Sequence, residues 1–191
     1  MGRLLALIAL VIFSPVFLIT ALAIVIDSKG NPFYIQNRVG KNGSTFGLVK
    51  FRTMLPFSDK AGKLTVGSRD SRITRVGYFL RKYKIDELPQ FINVLKGEMA
   101  WVGPRPEVPE YVSLYTDDQR RVLTVKPGIT DYASIHFFNE SDLIAQSANP
   151  EKTYVEKIMP EKIGMNLHYI DRKSTVEDLK IVMLTLKKIL S

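Results

Sequence analysis

Residues Lys84–Pro106 read K-I-D-E-L-P-Q-F-I-N-V-L-K-G-E-M-A-W-V-G-P-R-P. The stretch opens on two adjacent carboxylates, Asp86 and Glu87, and closes in a stiff Gly103-Pro104-Arg105-Pro106 turn that carries one guanidinium. Leu88, Phe91, Ile92 and Leu95 recur at helical spacing and predict a helix with one apolar face. Gly97 reads as its C′ stop. Pro89 fits only in the first turn, where a missing N–H costs nothing. That puts Asp86 and Glu87 at the helix N-terminus, beside free N–H groups and a partial positive charge. Two acids at a helix start are ordinary capping chemistry. The cations around them add a second reading: Arg81, Lys82 and Lys84 crowd in before the pair, and Arg105 follows it. Acids, several cations and a rigid Pro-Arg-Pro turn suit a site that handles phosphates and a metal ion.

Composition frames this stretch. The chain has 191 residues, room for one domain of ordinary core size with appendages. Lys and Arg outnumber Asp and Glu 27 to 19, a formal charge of +8 that favours an anionic partner: nucleic acid, nucleotide or an acidic membrane surface. The absence of cysteine excludes disulfides and thiolate metal sites. The two histidines, His136 and His168, lie too far apart in sequence to suggest a histidine-rich zinc site.

Upstream, Leu4 to Ile26 carries no charge. At 1.5 Å per residue this run reaches about 34 Å, enough to cross a bilayer core once as a straight helix. Ser14-Pro15 falls near its centre, where proline removes a backbone hydrogen bond and costs about 3 kcal/mol in a helix interior. Each arm alone reaches roughly 16 Å, to the bilayer midplane. A helix bent there can enter and leave by one face, with the Ser14 hydroxyl satisfying a freed carbonyl. Three readings stand: a kinked spanning helix, a re-entrant helix, and a signal peptide with Ala21-Leu22-Ala23 as a small-x-small site.

Asp27–Pro32 is turn chemistry. Phe33–Gln36 and Thr45–Arg52 read as strands around a turn at 37–44, a hairpin over 33–52. Lys50 and Arg52 alternate with apolar neighbours and share a strand face. Pro56–Asp70 reads as a loop. Thr74 is placed to cap a helix through Val76, Phe79, Leu80 and Tyr83 that delivers the chain to Asp86. Farther on, Pro109–Leu123 is helix-like with a Thr116-x-x-Gln119 capping box, which makes Asp117 and Asp118 first-turn acids. Asn149-Pro150-Glu151 opens another helix, and Pro160 marks the start of the next. The last helix begins at a Ser174-x-x-Glu177 box. It carries the stripe Val176, Leu179, Val182, Met183, Leu186, Ile189 and Leu190, which either packs on the core or lies on a membrane with Lys187 and Lys188 near headgroups.

The Ser-Pro inside an apolar N-terminal helix is followed in order by F-R-T-M (51–54), D-E-L-P-Q (86–90), N-V-L-K-G (93–97), V-G-P-R-P (102–106) and K-P-G-I-T (126–130). Together these resemble the small monotopic phosphoglycosyl transferases, the bacterial sugar transferases that act on undecaprenyl phosphate, over nearly the whole chain. Many members continue P-G-I-T-G-W-A-Q, where this chain has Asp131-Tyr132-Ala133-Ser134. The arginine that the family tends to place a little farther on is not evident in 135–140. The resemblance makes 137–165 a subgroup-type insertion bearing on sugar choice.

The resemblance implies transfer of a sugar 1-phosphate from a UDP-sugar to undecaprenyl phosphate with release of UMP, initiating assembly of a bacterial glycan. It gives Asp86 the role of nucleophile, bearing a covalent phosphosugar and contacting Mg²⁺. Glu87 becomes an acid/base or acceptor-orienting group. Arg105, in its Pro104–Pro106 turn, becomes the phosphate or nucleotide holder, with Arg81, Arg52 and Lys50 as further members of the cradle. It also favours the re-entrant topology broken at Ser14-Pro15. The resulting expectation is an α/β fold, mostly helical with a small β-hairpin or sheet. Residues 1–26 would be inserted in the bacterial inner membrane and 27–191 would form a catalytic domain on its cytoplasmic face, with amphipathic helices at the interface. Its partners would be membrane lipids and the two substrates, with no nucleic acid. The competing expectation, drawn from the +8 charge, is a membrane-tethered basic module that binds nucleic acid or anionic lipid without catalysis.

Overall fold

Where Pro15 interrupts the apolar run, the computed structural model breaks it into α1 (Gly2–Ile12) and α2 (Ser14–Asp27), bent by 59°. Pro15 has no N–H to give the Val11 carbonyl, and the Ser14 hydroxyl donates to that oxygen instead, at 2.8 Å. The structure describes residues 2–58, 64–68 and 70–190. Among these, no single helix is long and apolar enough to cross a membrane; only the bent pair meets that test by length and composition. Residues 59–63 and 69 of the loop read over 56–70 lie outside the described residues.

Both ends of the bent pair are tied to the same body. Ala6 and Ala9 of α1 are buried in a cluster with Phe91, Val94 and Met99, and Trp101 Nε1 donates to the Gly2 carbonyl at 3.0 Å. At the other end Ile24 packs with Phe51 and Leu80, and the Asp27 carboxylate accepts from the Val76 N–H at 3.0 Å. The outward faces of both helices remain apolar and exposed, Leu4, Ile8, Ile12, Leu18, Ile19 and Leu22 among them.

The hairpin forms as β1 (Phe33–Val39) and β2 (Thr45–Phe51), antiparallel with Phe33 opposite Phe51 and Val39 opposite Thr45. The turn is tighter than the sequence suggests: a 3₁₀ turn at Lys41–Gly43 with Asn42 at φ 57°, so 37–39 belong to the strand. α3 (Arg75–Lys82) starts at Thr74, whose hydroxyl accepts from the Gly77 N–H. Gly77 is required there, because a Cβ would stand 2.0 Å from the Thr53 carbonyl oxygen. Leu80 faces inward as expected, but Phe79 and Tyr83 do not; their rings meet each other on the outside at 4.8 Å.

The central stretch begins differently from its sequence reading. Asp86 and Glu87 lie in a 3₁₀ turn, Ile85–Glu87, and α4 (Gln90–Lys96) starts only after Pro89, which is its N-cap. Lys84 takes a left-handed conformation (φ 55°, ψ 20°) to turn the chain out of α3, a strain of order 1–3 kcal/mol that neighbouring structure must hold. Gly97 does end α4 in the left-handed region, at φ 85°.

A second, parallel pair was not read from the sequence: β3 (Ala100–Val102) beside β4 (Gly128–Thr130). The helix expected over 109–123 is split into α5 (Pro109–Val112) and α6 (Asp117–Arg120), the latter with the full Thr116–Gln119 capping box, followed by a 3₁₀ turn to Thr124. α7 (Tyr132–His136), α8 (Glu140–Ala145) and α9 (Pro150–Thr153) follow. α9 continues through a π turn at Tyr154–Ile158 into α10 (Met159–Arg172). Pro160 therefore lies at the start of α10 within a continuous helical path, and the wider turn sits where its missing N–H would be needed. α11 (Thr175–Leu190) packs through Ile181, fully buried with Val102 and Tyr169. Most of its apolar stripe is not core: Val176, Leu179, Met183, Leu186 and Leu190 are all exposed.

Candidate active site

Glu87 is held from several sides. Arg105 donates to both of its oxygens, Nη1 to Oε2 at 3.0 Å and Nη2 to Oε1 at 2.7 Å. Gln90 Nε2 donates to Oε2 at 3.2 Å, and Lys50 Nζ stands 3.9 Å from Oε1. Burial works against its charge, but the Arg105 and Lys50 cations outweigh burial and hold the carboxyl well below the usual range. The same pairing raises the pKa of Arg105.

Asp86 sits in the opposite environment. It is buried, 7% exposed, and its Oδ1 has no hydrogen-bond partner among the described residues. Burial, with the adjacent Glu87 charge, pushes its carboxyl up, while Lys50, Arg81 and Lys84 pull it down. Adjacent carboxylates with environments this different are suited to different tasks: one is a fixed counter-charge, the other an oxygen free to meet a ligand.

The surrounding motifs explain how the pair is positioned. Lys50 comes from β2, and burial brings its pKa down to about 8. Arg81 comes from α3; its Nε donates to Thr53 Oγ1 at 2.8 Å and its Nη1 to Thr65 Oγ1 at 3.1 Å, with Asp86 near enough to act on its charge. Arg52 is the candidate whose contacts point elsewhere. Its guanidinium donates to the carbonyls of Ser28, Lys29 and Gly30, closing the turn after α2. Ser14 and Pro15 are at the helix break and touch none of these groups through a hydrogen bond or ion pair; Ser14 is spent on Val11.

Pro104 and Pro106 hold Arg105 in a turn anchored by a residue the sequence reading passed over. Asp131 is fully buried; its Oδ2 accepts from the Arg105 N–H at 2.9 Å and its Oδ1 from the Ser134 N–H at 2.6 Å. The turn also needs Gly103 and Gly128 to pass backbone against backbone, since a Cβ on Gly128 would lie 2.1 Å from the Gly103 nitrogen. V-G-P-R-P and K-P-G-I-T are thus two halves of one contact.

With this geometry in place, the comparison of the whole chain is decisive. The sequence model of the bacterial sugar transferases matches residues 1–191. The chain belongs to that family. Among its relatives, a UDP-N-acetylgalactosamine-undecaprenyl-phosphate N-acetylgalactosaminephosphotransferase of Aeromonas hydrophila is 37% identical over all of this chain and 43% of its own length. A sugar transferase of Bacillus subtilis, EpsL, is 40% identical over 92% of this chain and 78% of its own length. A UDP-glucose:undecaprenyl-phosphate glucose-1-phosphate transferase of Caulobacter vibrioides is 34% identical over 94% of this chain and 64% of its own length. This sugar transferase chain therefore spans less than half of the first relative and most of the second.

Two further residues of this sugar transferase escaped the sequence reading. Asn93, fully buried on α4, accepts from the Val49 N–H at 3.0 Å and donates to the Gly47 carbonyl at 2.8 Å and to Glu98 at 2.7 Å, fixing the hairpin to the helix behind the carboxylates. Glu107 receives Arg38 at 3.0 Å and the Tyr154 hydroxyl, joining the Arg105 turn to the helices beyond it. Asn93 lies off the Leu88–Phe91–Ile92–Leu95 face that the spacing picks out, and nothing local marked either residue.

Proposed function

We propose that this chain transfers a sugar 1-phosphate from a UDP-sugar to undecaprenyl phosphate, releasing UMP and initiating assembly of a bacterial glycan. The observation that carries the proposal is the pair itself: a buried Asp86 with an unpartnered oxygen, beside a Glu87 locked in its charged form by Arg105 and Lys50. The names of the Aeromonas and Caulobacter relatives support the donor and acceptor classes.

In this mechanism an Asp86 carboxylate oxygen attacks the β-phosphorus of the donor. The bond from that phosphorus to the bridging oxygen breaks, UMP leaves with the electron pair, and a phosphosugar remains on Asp86. A phosphate oxygen of the polyprenyl acceptor then attacks the same phosphorus and the Asp86 carboxylate departs. Splitting the transfer in two lets one site serve a soluble donor and a lipid acceptor in turn. Arg105 orients the diphosphate through its fork, exchanging part of its hold on Glu87 for phosphate oxygens. Glu87 orients the acceptor phosphate or takes up its proton.

The residues fit Mg²⁺. No group of three or more His, Cys, Asp or Glu forms an all-protein cage among the described residues. Mg²⁺, however, is commonly held by one or two carboxylates together with substrate phosphates, and Asp86 Oδ1 is a buried acceptor without a partner. Asp86 would hold the ion, which supplies charge neutralisation of the diphosphate. The bent apolar pair, tied to the catalytic body at both ends, supports a re-entrant insertion from the cytoplasmic face of the inner membrane.

The test is the nucleotide product. A panel of UDP-sugars with polyprenyl phosphate and Mg²⁺ should release UMP, and labelled donor alone should leave its phosphosugar on the wild-type protein but not on Asp86→Asn. Release of UDP would indicate a direct glycosyl transfer. Salt-sensitive binding of nucleic acid or anionic lipid with no turnover would indicate the basic tether.

A further inference from the structure

The Arg105 turn is pinned at its two ends to two different sheets. Pro104 and Pro106 have no N–H, so its backbone has few donors of its own and neighbouring segments must hold it. On the incoming side the Gly103 N–H donates to the Thr130 carbonyl at 3.1 Å, the Pro104 carbonyl accepts from the Gly128 N–H at 3.0 Å, and Asp131 takes the Arg105 N–H. On the outgoing side the partner is β1. The Val39 N–H donates to the Glu107 carbonyl at 2.8 Å, and Arg38 Nη1 donates to the Pro106 carbonyl and to Glu107 Oε1, each at 3.0 Å. Arg38 is itself steadied by Gln36 Oε1, which accepts from its Nε at 3.1 Å and its Nη2 at 2.7 Å. Glu107 Oε1 also accepts from the Val108 N–H at 2.8 Å, and Oε2 accepts from the hydroxyl of the buried Tyr154. Tyr154 opens the π turn between α9 and α10, and such turns are frequent at functional sites.

We propose, on the transferase function given above, that Glu107 is a positioning residue: clamped between Arg38 and Tyr154, it fixes the outgoing end of the turn so that the Arg105 fork meets Glu87 and the donor phosphates at the angle the reaction needs. Among the described residues Glu107 bonds to neither carboxylate of the pair, so it acts through Arg105. The hairpin shows why the clamp is placed where it is. β1 carries Arg38, and β2 carries Lys50, whose ammonium stands 3.9 Å from Glu87. In the antiparallel register Arg38 lies opposite Phe46 and Lys50 opposite Tyr34, so the strand pairing sets the spacing of these two cations. Clamping the turn to Arg38 refers Arg105 and Lys50 to one frame, and both address the same Glu87. A neutral residue at 107 holds less firmly, since hydrogen bonds to an ionised group are about twice as strong as neutral ones. It also leaves Arg38, only 16% exposed, facing the Arg105 cation without its counter-charge. Misplacing a substrate-holding group by about 1 Å can cost on the order of 100-fold in rate.

The experiment is a double-mutant cycle on the full chain in detergent or nanodiscs, combining Glu107→Gln with Arg105→Lys and recording UMP release from a UDP-sugar with polyprenyl phosphate. Glu107→Gln alone should lower kcat about tenfold and change the donor KM less than about twofold. On the Arg105→Lys background the same substitution should cost less than about twofold, because the fork it aligns is gone. A brace that only kept the fold together would cost the same factor on both backgrounds. Equal factors, no loss on either background, or a loss carried by KM alone overturns the positioning role. Tyr154→Phe removes one arm of the clamp and no charge. It should cost about threefold on the wild-type background and no more than experimental error on Arg105→Lys, and the same outcomes decide from it if Glu107→Gln does not fold. A second readout needs no turnover. Nitrogen-15 NMR of the Arg105 guanidinium, assigned by Arg105→Lys, should show separate Nη signals in wild type, where the paired bonds to Glu87 hinder its rotation, and averaged signals in Glu107→Gln. That averaging without UMP release keeps the positioning role and defeats the transferase reading. UMP release with unchanged Arg105 signals and equal factors on both backgrounds does the reverse.

Discussion

Lys50 sits in the site with its pKa lowered to about 8 from 10.5, burial being the main cause and the Glu87 charge opposing it. The sign follows from linkage. Between about pH 8 and 10.5 the unfolded chain holds the proton more tightly than the folded one. The cost of burying this cation is therefore complete below pH 8 and fades as pH rises. Function runs the other way. If Lys50 steadies donor phosphates, the donor KM should rise about tenfold between pH 7 and pH 9 as the ammonium is lost. Lys50→Arg keeps its charge and should flatten that rise. A wild-type KM level across this range would remove Lys50 from the phosphate cradle. Arg105 offers a sharper residue-scale test. Arg105→Lys preserves charge but cannot reproduce the two parallel bonds to Glu87. We expect kcat/KM to fall by about 100-fold, the equivalent of roughly 2.7 kcal/mol. The acids and Arg105 were legible in the sequence because their residue types and spacing suggest phosphate chemistry. Their contrasting environments were not, since these depend on Lys50, Arg81 and Gln90 converging from three different elements.

Between elements, backbone contacts decide the geometry. Gly128 abuts Gly103 so closely that an added Cβ would strike its nitrogen at 2.1 Å, and a backbone atom cannot swing aside as a side chain can. Gly128→Ala should push β4 from β3, displace the Arg105 turn and lower kcat/KM well beyond any change in donor KM. Gly164 is the control: exposed on α10 with open space around it, its replacement by Ala should stabilise by roughly 0.5–1 kcal/mol, read as a small rise in Tm. Arg52 is a stability element on the same grounds. Arg52→Ala leaves three carbonyls at the end of α2 without their donor and should cost about 2 kcal/mol, lowering Tm by roughly 4–8 °C. The elements readable in sequence were those with a local cause: the Pro15 break, the Thr74 cap, the hairpin and the Gly97 stop. The β3–β4 pair has only three residues per strand and no periodicity, and joins segments 28 positions apart. The exposed stripe of α11 was ambiguous because amphipathicity specifies an apolar face but not what covers it.

At the scale of the whole molecule, the question is what the apolar faces of α1, α2 and α11 meet, since many of their large side chains are exposed. A straight apolar helix would put its two ends on opposite sides of a bilayer. Here the Gly2 end is bonded to Trp101 and the Asp27 end to Val76, so both ends lie against one catalytic body. A protein inserted as proposed must then expose both on the same side. Because the chain has no cysteine, single labels read without background. Gly2→Cys and Lys29→Cys, at exposed positions flanking the apolar pair, should both react with an impermeant thiol reagent in inverted membrane vesicles, and neither should react in intact cells. Replacing Pro15 with Leu restores the N–H that Val11 lacks and removes the cause of the 59° bend. In that variant the Gly2→Cys label should become accessible from outside, because a straight run of this length spans the bilayer. Its activity should fall with the change, since a spanning α1 can no longer bury Ala6 and Ala9 against α4, the helix that supports the carboxylate pair. Reaction of Gly2→Cys in intact cells when Pro15 is retained would defeat the re-entrant topology while leaving the chemistry at Asp86 untouched.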